Sequence, residues 1–556
     1  MGNRVSITSP SEHKALPIDS TFALPSPLPT WPPGGGFATG TIDLGGLIVA
    51  EVTTLNKVWT AYEGGPDNRG ATFFEPTGIP EGFSILGHYA QPNNRALAGS
   101  VLVAKDASDG SKPAVAPPTD YALVWSSKSS SVKQDSPGYI WAPIPPNGYN
   151  AVGLIVTTTS TKPPLDKVRC VRSDLTSTSE PDEWIWGKKK KAESNNFNIY
   201  KSRPNSRGDQ ASAVSIGTFM AQNSGGTPNG VPLLACLKNA NSNFSSMPNL
   251  DQIHTIIQTY SPKIYLHPDE EFLPSSVDWF FTNGALLYKK GDESNPVSVN
   301  STGSNLPQGG SDDGSYWLDL PTDKQAGEKL KKGDLGSATA YIHIKPMLGG
   351  TCTDLALWLF YPFNGPSRAK VGKLTIPLGQ IGEHVGDWEH ITLRVSNFNG
   401  MLKQVYFSQH SSGQWVQASD LEFQDGNKFV VYSSLNGHPN YPRPGLVMQG
   451  TDLIGIRNDT SKSDKIWDTG KGYTIISGDY LGPGVIVEPP WLNYTRKWGP
   501  KITYDIASEI NGAAKFLEGK LGSAFLKIIK SLPNEVLGEE GPAGPKMKDY
   551  WHGDER

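Results

Sequence analysis

One motif occurs three times in the first half of this chain, and no other feature limits the fold as strongly. Each copy begins with a tryptophan in an apolar strand, continues through a glycine, and ends with a basic residue after a second apolar strand. The markers are Trp59, Gly87 and Lys105 in the first copy, Trp125, Gly153 and Arg172 in the second, and Trp186, Gly217 and Lys238 in the third. All three markers recur with a period of about 65 residues, and such self-similarity indicates a repeat architecture.

The three copies predict a β-prism over residues 41–240. A β unit of this size has a hydrophobic face that it cannot bury alone, so three units most simply close around a pseudo-threefold axis. An ordinary β-sandwich with accidental internal similarity is the alternative. Residues 1–40 are rich in Pro and Gly and cannot form a helix. We therefore expect an extended segment that lies along a neighbouring part of the chain.

The second half of the chain has the pattern of an antiparallel β-sandwich over residues 255–500. A polar linker is expected at 241–254, and a short helix at 250–260 should end before Pro262. Short alternating strands follow, separated by Gly and Asn-Gly turns, with no ten-residue helical pattern between them. The 60 glycines and 45 prolines among 556 residues agree with a turn-rich chain. The predicted fold class is therefore mainly β.

Residues 501–556 differ, because apolar residues recur there at helical spacing. Ile506, Ile510, Leu517 and Phe525 belong to this pattern, and several lysines lie between them. The pattern predicts a C-terminal amphipathic helix and tail, with glycines at which the helix can bend. Two placements are open. The apolar face either docks on the β domain or lies on a membrane surface, for which lysines beside an apolar stripe are suited.

Charge and composition exclude several classes of protein. The 50 basic and 54 acidic residues give a net charge of -4, which supplies no field that attracts nucleic acid. Three cysteines cannot staple a chain of this length and indicate a reducing compartment. No apolar run reaches the about 18 residues of a transmembrane helix, and the N-terminus lacks a secretory signal. We expect a cytoplasmic or peripheral membrane protein that no signal peptide exports.

The strongest candidate site is the stretch 382–395, where histidines and acids interrupt an apolar strand. Because alternate residues of a strand share a face, Asp387 and Glu389 point to the same buried side as the apolar residues that follow them. Two buried carboxylates need a cation or hydrogen-bond donors. Their oxygen atoms favour Ca²⁺ or Mg²⁺, with His384 as a further ligand or supporting donor.

A structural network is the alternative to a metal, with His390, Arg394 or backbone amides satisfying the acids. His410 and His438 lie in polar clusters that could complete either kind of site. The chain has no nucleophile elbow, P-loop, His-Glu-x-x-His or Cys-x-x-Cys motif. Paired carboxylates occur in glycosidases, yet acids two apart on one strand more often bind a ligand than act across a cleft. We therefore expect a protein without enzymatic activity.

The first six residues, Met-Gly-Asn-Arg-Val-Ser, match the N-myristoylation pattern. Gly2 would then carry a single acyl chain. One such chain gives marginal, reversible membrane binding and needs a second membrane signal, such as the helix or the prism. An unmodified N-terminal tail is the alternative.

Motifs in order along nearly all of residues 20–556 resemble the plant vacuolar protein sorting-associated protein 62-like family. They include Leu28-Pro-Thr-Trp31-Pro, Gly82-Phe-x-x-Leu-Gly87-His-Tyr, Asn283-Gly-Ala-Leu-Leu-Tyr288, Tyr361-Pro-Phe-Asn-Gly365-Pro, His384-Val-Gly-Asp-Trp-Glu-His390 and Trp498-Gly-Pro500. The family is largely a domain of unknown function, and its sorting name comes from a fungal relative. Some fern proteins that resemble this family are insecticidal, which implies that the chain meets a foreign membrane.

Two local resemblances imply contact with membranes. The stretch 141–153 resembles β-prism modules of endosomal-sorting and lipid-transfer proteins. The stretch 382–389 is similar to the Gly-His-x-His-Asp-Trp-Glu signature of necrosis-inducing cytolysins, whose β-sandwich binds a divalent metal and sphingolipid head groups. Here the spacing is one residue longer, and Glu383 stands where the signature has its first His. The candidate recognition residues are Trp388, His390, His410, His438, Trp141 and Tyr149.

These observations favour a membrane-interacting plant defence protein, insecticidal or cytolytic and of the pore-forming toxin type. Its partner would be a lipid or glycan receptor on the target membrane, with further copies of the chain joining there as a homo-oligomer. No nucleic acid is expected as a partner. An intracellular vacuolar-sorting or membrane-tethering module is the first alternative, and a metal-dependent hydrolase is the second.

Overall fold

A computed structural model describes residues 16, 18–110, 112–187, 197–223, 226–228, 231–241, 244–410, 412–502, 504–515, 517, 520–529 and 541–555. Over these residues the protein is mainly β, with several antiparallel sheets, none of which closes on itself. This agrees with the predicted fold class. Gly2 lies outside the described residues, so its acylation stays a prediction.

The first half of the chain consists of short strands grouped by repeat. They are β1 (Thr41–Asp43), β2 (Leu47–Val52), β3 (Leu55–Ala61), β4 (Ala71–Pro76), β5 (Ser84–Ile85), β6 (Tyr89–Pro92), β7 (Val101–Asp106), β8 (Val115–Ala116), β9 (Asp120–Ser126), β10 (Tyr139–Ile144), β11 (Tyr149–Asn150), β12 (Ile155–Thr157), β13 (Cys170–Arg172), β14 (Thr176–Gly187), β15 (Asn198–Pro204), β16 (Ala213–Val214), β17 (Phe219–Gln222) and β18 (Ala235–Lys238). Equivalent strands form a sheet in each repeat, namely β3-β4-β6, β9-β10-β12 and β14-β15-β17.

The three repeats meet through their tryptophans. The ring centroids of Trp59, Trp125 and Trp186 are 5.6, 5.3 and 5.0 Å apart, so each ring contacts both others. The glycines of the first two repeats also meet, because a Cβ on Gly153 would lie 2.9 Å from the Gly87 Cα. Only glycine fits such a close approach of two backbones.

Backbone hydrogen bonds connect each pair of repeats. His88 N donates to Leu154 O over 2.9 Å, which joins the first repeat to the second. The third repeat is joined to the other two by Leu102 N to Ile216 O at 2.8 Å and Ala235 N to Ala151 O at 2.9 Å. The Trp and Gly markers therefore identify residues that lie where the three units touch.

The second half contains longer strands and the largest sheet. They are β19 (Lys263–Tyr265), β20 (Leu286–Lys289), β21 (Val297–Ser298), β22 (Tyr316–Asp319), β23 (Ala340–Met347), β24 (Cys352–Asn364), β25 (Arg368–Val371), β26 (Leu374–Pro377), β27 (His384–Ser396), β28 (Leu402–Gln409), β29 (Ser412–Gln417), β30 (Phe423–Gln424), β31 (Lys428–Ser433), β32 (Asn440–Tyr441), β33 (Gly445–Gly450), β34 (Ile454–Thr460), β35 (Ile466–Asp468) and β36 (Tyr473–Ser477). The largest sheet has the order β29-β28-β27-β24-β23-β36.

This six-stranded sheet separates two apolar clusters. Ile391, Leu393 and other alternate residues of β27 face one cluster, whereas Trp388 and Trp358 face the other. Most neighbouring strands are antiparallel, as predicted, but β23 pairs with β36, and β19 with β31, in parallel. The strict antiparallel prediction was wrong at these two places, because strands far apart in sequence approach each other in the same direction.

The helices are few and short over the described residues. They are α1 (Leu250–Tyr260), α2 (Val277–Thr282), α3 (Lys324–Lys331), α4 (Ile506–Ala514) and α5 (Lys520–Ile529). The helix predicted at 250–260 is confirmed, and its capping box joins Asn249 to Gln252. It begins inside the stretch that was predicted as a linker.

The C-terminal apolar pattern forms two helices, α4 and α5, over the described residues. Ile510, Ala513 and Phe525 pack in one buried cluster with Ala369 and Ile456 of the sheet that contains β25 and β34. The apolar face is thus docked on the β domain, which is the first of the two placements that the sequence left open. No helix in the described part of the chain is long and apolar enough to cross a membrane.

Part of the N-terminal segment and the last described residues both contact the second half of the chain. Trp31 Nε1 donates to Asn399 O over 3.0 Å, and Gln252 Nε2 donates to Pro32 O over 2.7 Å, which agrees with an extended N-terminal segment. At the other end, residues 541–555 cross one face of the six-stranded sheet. Lys345 is buried there and donates to the carbonyl oxygens of Tyr550 and Gly553. We call residues 541–555 the C-terminal tail.

Candidate functional site

A pocket of about 480 Å³ opens where β27 begins. Its walls come from β27, from the turn before it, from β28 and from the C-terminal tail. The candidate residues that line it are His384, Asp387, Trp388, Glu389, His390 and His410. The structure therefore brings together six of the residues that the sequence singled out, and His438 lies directly behind them.

The two acids of β27 occupy the inward-facing positions that strand alternation predicts. Asp387 and Glu389 pair with Tyr361 and Leu359 of β24. Both acidic residues are buried, each with 8% of its surface exposed to solvent. Trp388 points to the opposite face, where it stacks on Trp491 with ring centroids 5.5 Å apart. The prediction that both carboxylates face the buried side is confirmed.

Asp387 has an internal partner, His438. The Nδ1 atom of His438 lies 3.1 Å from Asp387 Oδ2, and its Nε2 atom lies 3.1 Å from the Phe272 carbonyl oxygen. The His438 ring is fully buried and stacks on Tyr361 with centroids 3.8 Å apart. Because a carbonyl can only accept and the carboxylate accepts as well, both ring nitrogens are donors, as in a charged imidazolium.

The charges around His438 explain why it stays protonated. Burial acts to lower the pKa of His438, but hydrogen bonds and charges from Asp387 and Glu270 outweigh it and raise the pKa to about 9. Burial in turn acts to raise the pKa of Asp387, whereas the hydrogen bond from His438 and nearby positive charges bring it below its ordinary value. Asp387 and His438 therefore form a buried ion pair at neutral pH.

Glu389 differs from Asp387 although it lies only two residues away. Burial and the negative charge of Asp387 raise the pKa of Glu389 to about 8, and its hydrogen bond with Ser408 lowers it only in part. The Ser408 hydroxyl donates to Glu389 Oε2 and accepts from His390 N over 3.2 Å. At neutral pH the pocket thus offers one ionised and one protonated carboxyl group, which is how paired acids acquire different roles.

His384 is the first residue of β27, and its imidazole ring is neutral. Burial lowers its pKa, against the opposing effects of Asp387 and the Gly386 carbonyl. Its Nδ1 atom lies 2.9 Å from Gly386 O, so Nδ1 donates there and Nε2 keeps its lone pair. His384 can therefore accept a hydrogen bond or coordinate through Nε2.

His390 and His410 are held by other parts of the protein. His390 Nε2 lies 3.0 Å from Glu555 Oε2, and its ring stacks on Tyr550 of the C-terminal tail with centroids 4.5 Å apart. His410 Nε2 lies 3.0 Å from Asn458 Oδ1. Both histidines line the pocket, but these contacts fix their ring positions.

Trp141 and Tyr149 lie apart from this pocket, in the second repeat. Trp141 is buried and donates through Nε1 to Thr157 Oγ1 over 2.9 Å. The Tyr149 hydroxyl donates to Pro113 O over 2.7 Å, and Lys112 lies over its ring. The structure gives both aromatic residues packing contacts within the repeat and does not bring them to the residues of β27.

The acids of the pocket do not form a metal-binding group as they stand. Asp387 contacts His438, Glu389 contacts Ser408, and no set of three or more His, Cys, Asp or Glu side chains in the described ranges is placed to hold a metal ion. Each of the two acids thus has a hydrogen-bond partner within the protein. Ca²⁺ or Mg²⁺ at His384, Asp387 and Glu389 stays a prediction of the sequence.

We did not predict from the sequence that the C-terminal tail forms part of the site. The tail supplies Lys548 and Tyr550 to the pocket wall, and Asp554 Oδ1 accepts a hydrogen bond from Arg394 Nη2 over 2.6 Å. Arg394 is in turn held by Asp354, so a buried charge network ties the tail to the sheet. The aromatic and acidic residues at 549–555 were the only available signal, because such residues are unusual in a tail without a docking site.

These features define the class of the protein. It is mainly β, its first half is built from repeats, and its second half contains a buried pocket of acids and histidines. The chain belongs to the vacuolar protein sorting-associated protein 62 family, whose sequence profile matches residues 18–555. The resemblance seen in the sequence is confirmed by this match.

Individual proteins match smaller parts of the chain. TDA6 of Saccharomyces cerevisiae, a candidate vacuolar protein sorting-associated protein, is 22% identical over 364 residues, or 54% of this chain and 71% of its own. The crystal structure of GNIP1Aa from Chromobacterium piscinae shares 18% identity at a TM-score of 0.29, over 39% of this chain and 40% of that one.

The crystal structure of Necrosis and Ethylene inducing Protein 2, from the causal agent of cocoa's Witches Broom disease, is 11% identical. It covers 41% of this chain and 74% of its own at a TM-score of 0.18. At such TM-scores the solved structures do not inform the function of this chain.

Proposed function

We propose that this protein recognises a polar lipid or glycan headgroup on a membrane, without catalysing a reaction, and that it serves in plant defence as an insecticidal or cytolytic protein of the pore-forming type. The observation that carries the proposal is the pocket at Asp387. Its size suits a headgroup-sized ligand, and it contains a few convergent polar groups beside aromatic walls.

The carboxyl groups of the pocket suit a ligand that carries hydroxyl groups. Ionised Asp387 accepts hydrogen bonds, whereas protonated Glu389 can also donate one. The neutral Nε2 of His384 adds an acceptor. Hydroxyl groups both donate and accept, so a polyhydroxylated headgroup satisfies all three residues at once.

The absence of catalysis is supported by how the acids are used. Both acids lie on β27, where Asp387 is hydrogen-bonded to His438 and Glu389 to Ser408. Neither acid faces the other across a cleft in which a bond could be cleaved between them. Such an arrangement favours a fixed binding surface over acid–base chemistry.

The proposal includes a β-prism for residues 41–240 and a β-sandwich for residues 255–500. The mutual contact of Trp59, Trp125 and Trp186 supports a pseudo-threefold axis in the first half. In the second half, two apolar clusters on either side of a large sheet support layered packing. The prism would give the protein a second surface for a membrane, which a weakly bound headgroup requires.

Dye release from vesicles and from cultured insect midgut cells tests the proposed function. The protein should release the dye from at least one membrane type, and Asp387→Asn should weaken the release at least tenfold while circular dichroism stays unchanged. If the unchanged protein releases no dye at any lipid composition or pH value tested, the result would contradict the toxin proposal.

An intracellular sorting or tethering module is the second candidate, and the family match supports it. It requires that the protein stays in the producing cell as a cytoplasmic or peripheral membrane protein. Mass spectrometry of protein purified from plant cells tests it, because an acyl chain on Gly2 would support tethering and a free N-terminus would speak against it. A metal-dependent hydrolase is the third candidate, and the unlike carboxyl groups support it. A bound metal accompanied by turnover that Asp387→Asn abolishes would establish it.

A further inference from the structure

Lys548 is the charged residue that the C-terminal tail contributes to the wall of the pocket. It lies on the C-terminal tail, which forms one wall of the pocket while β27 forms another. The tail residues in this wall are Gly541, Pro542, Ala543, Met547, Lys548 and Tyr550. The ligand proposed above would therefore lie between the acids of the strand and the lysine of the tail.

Anchors on both sides fix the position of Lys548. Before it, Lys546 Nζ pairs with Glu488 and donates to Asn493 Oδ1 over 2.8 Å. After it, Tyr550 stacks on His390, and the Trp551 ring lies 3.8 Å from that of His343. The backbone at Lys548 is thus held in place, which lowers the entropic cost of using its side chain in binding.

The other charged groups of the pocket have partners within the protein. Asp387 is paired with His438, and Lys497 Nζ lies 3.1 Å from Asp312 Oδ2. For the half-buried Lys548 side chain, no hydrogen bond or ion pair within 4.0 Å is found among the residues that the structure describes. Lys548 therefore brings to the pocket a positive charge without a direct partner among these residues, and this charge acts at longer range on Asp387 and Glu389.

We infer that Lys548 is a specificity-determining residue that binds the anionic group of the pocket's ligand, and that this ligand is an anionic polyol. A lysine ammonium binds phosphate or carboxylate as a compact charge with three donors. Asp387 and Glu389 would bind hydroxyl groups of the same headgroup. The inference deepens the proposed function and rests on it.

Vesicle co-sedimentation tests this specificity with four additives in phosphatidylcholine. Phosphatidylinositol carries a phosphate and a polyol, a ganglioside carries a carboxylate and sugars, galactosylceramide is a neutral sugar, and phosphatidic acid has a phosphate without a polyol. The protein should bind phosphatidylinositol or the ganglioside, and which of the two it binds distinguishes a phosphate from a sugar carboxylate. It should bind the other two additives at least tenfold more weakly.

Variants assign the effect to Lys548. Lys548→Gln should reduce binding to the preferred vesicles at least tenfold, the loss of one charge-assisted contact. Lys548→Arg should retain most of the binding. Lys373→Gln removes the same charge from an exposed position outside the pocket and should bind like the unchanged protein.

Several results would overturn the inference while leaving the proposed function in place. They are unchanged binding by Lys548→Gln, an equal loss in Lys373→Gln, and binding to galactosylceramide or phosphatidic acid as tight as to the anionic polyols. By contrast, failure of the unchanged protein to bind any vesicle would contradict headgroup recognition itself, and the inference with it.

Discussion

His438 Nδ1 lies 3.1 Å from Asp387 Oδ2, and this contact joins residues that are 51 positions apart in the chain. It gives a buried carboxylate its positive partner from within the protein. The same imidazole donates to the Phe272 carbonyl through its other nitrogen, so the cation is held from both sides. The pocket consequently keeps an ionised acid in place before any ligand arrives.

Removing His438 should destabilise the fold strongly. In His438→Leu, Asp387 and Glu270 would remain buried without their counter-charge, which costs about 3–5 kcal/mol. The free energy of unfolding in urea measures this change. In the double variant with Asp387→Asn the loss should be smaller than the sum of the single losses, because the two residues interact directly.

A control for this prediction is His267→Ala. His267 is only partly buried, and its Nδ1 atom accepts a 3.1 Å hydrogen bond from Asp269 N and lies 3.8 Å from the exposed Asp269 carboxylate. Its loss should cost about 1 kcal/mol, well below the cost of losing His438. A His438→Leu variant as stable as this control would show that the buried ion pair does not support the pocket.

The buried His88 should make the protein less stable in acid. Burial, with a smaller contribution from the Lys167 charge, lowers the pKa of His88 to about 3. In the unfolded chain its pKa is about 6.5, so the unfolded state binds the proton more readily. The stabilising contribution is complete above about pH 6.5 and is lost as the pH falls toward 3.

Urea unfolding at a series of pH values measures this slope in the unchanged protein and in His88→Gln. The glutamine variant should lose less free energy of unfolding between pH 6.5 and 4, since it has no group that takes up a proton. Equal slopes in the two proteins would contradict burial of a neutral His88 between the first two repeats.

The contact between repeats predicts an effect of adding one methyl group. A Cβ on Gly153 would lie 2.9 Å from both the Gly87 Cα and the Leu86 carbonyl oxygen. Gly153→Ala should therefore lower the free energy of unfolding by about 1–3 kcal/mol, since backbone must move to relieve the overlap. Gly110→Ala is the matched control, because the nearest atom to its Cβ would be 3.9 Å away.

Removal of divalent cations should leave stability and vesicle binding unchanged. The reason is that His438 pairs with Asp387 and Ser408 with Glu389, so the acids have partners without a metal. Thermal unfolding in chelator, Ca²⁺ and Mg²⁺ measures this. A rise in Tm with Ca²⁺ that Asp387→Asn abolishes would instead establish the cation site that the sequence predicts.

Local periodicity was sufficient to predict several parts of this structure. Strand alternation placed Asp387 and Glu389 on the inward face, and the short helix expected at 250–260 before Pro262 coincides with α1. The three repeated tryptophans were recognisable because one period governs all copies. Each of these features depends on residues close in sequence or on a fixed repeat length.

Other parts depend on contacts between distant residues and could not be predicted. Nothing in the sequence near Asp387 indicates that His438 would be its partner. Glu555 contacts His390, which lies 165 residues earlier in the chain, and this contact helps to hold the C-terminal tail where it forms one wall of the pocket. Sequence spacing does not encode such long-range approaches, because they follow from how whole strands and segments pack.

Equilibrium binding of the unchanged protein and Asp387→Asn to vesicles made from insect midgut lipids tests the central claim most directly. We predict that the unchanged protein binds these vesicles and that the asparagine variant, with the same circular dichroism spectrum, binds at least tenfold more weakly. Equal binding by both proteins, or none by either, would contradict recognition of a membrane headgroup through this pocket.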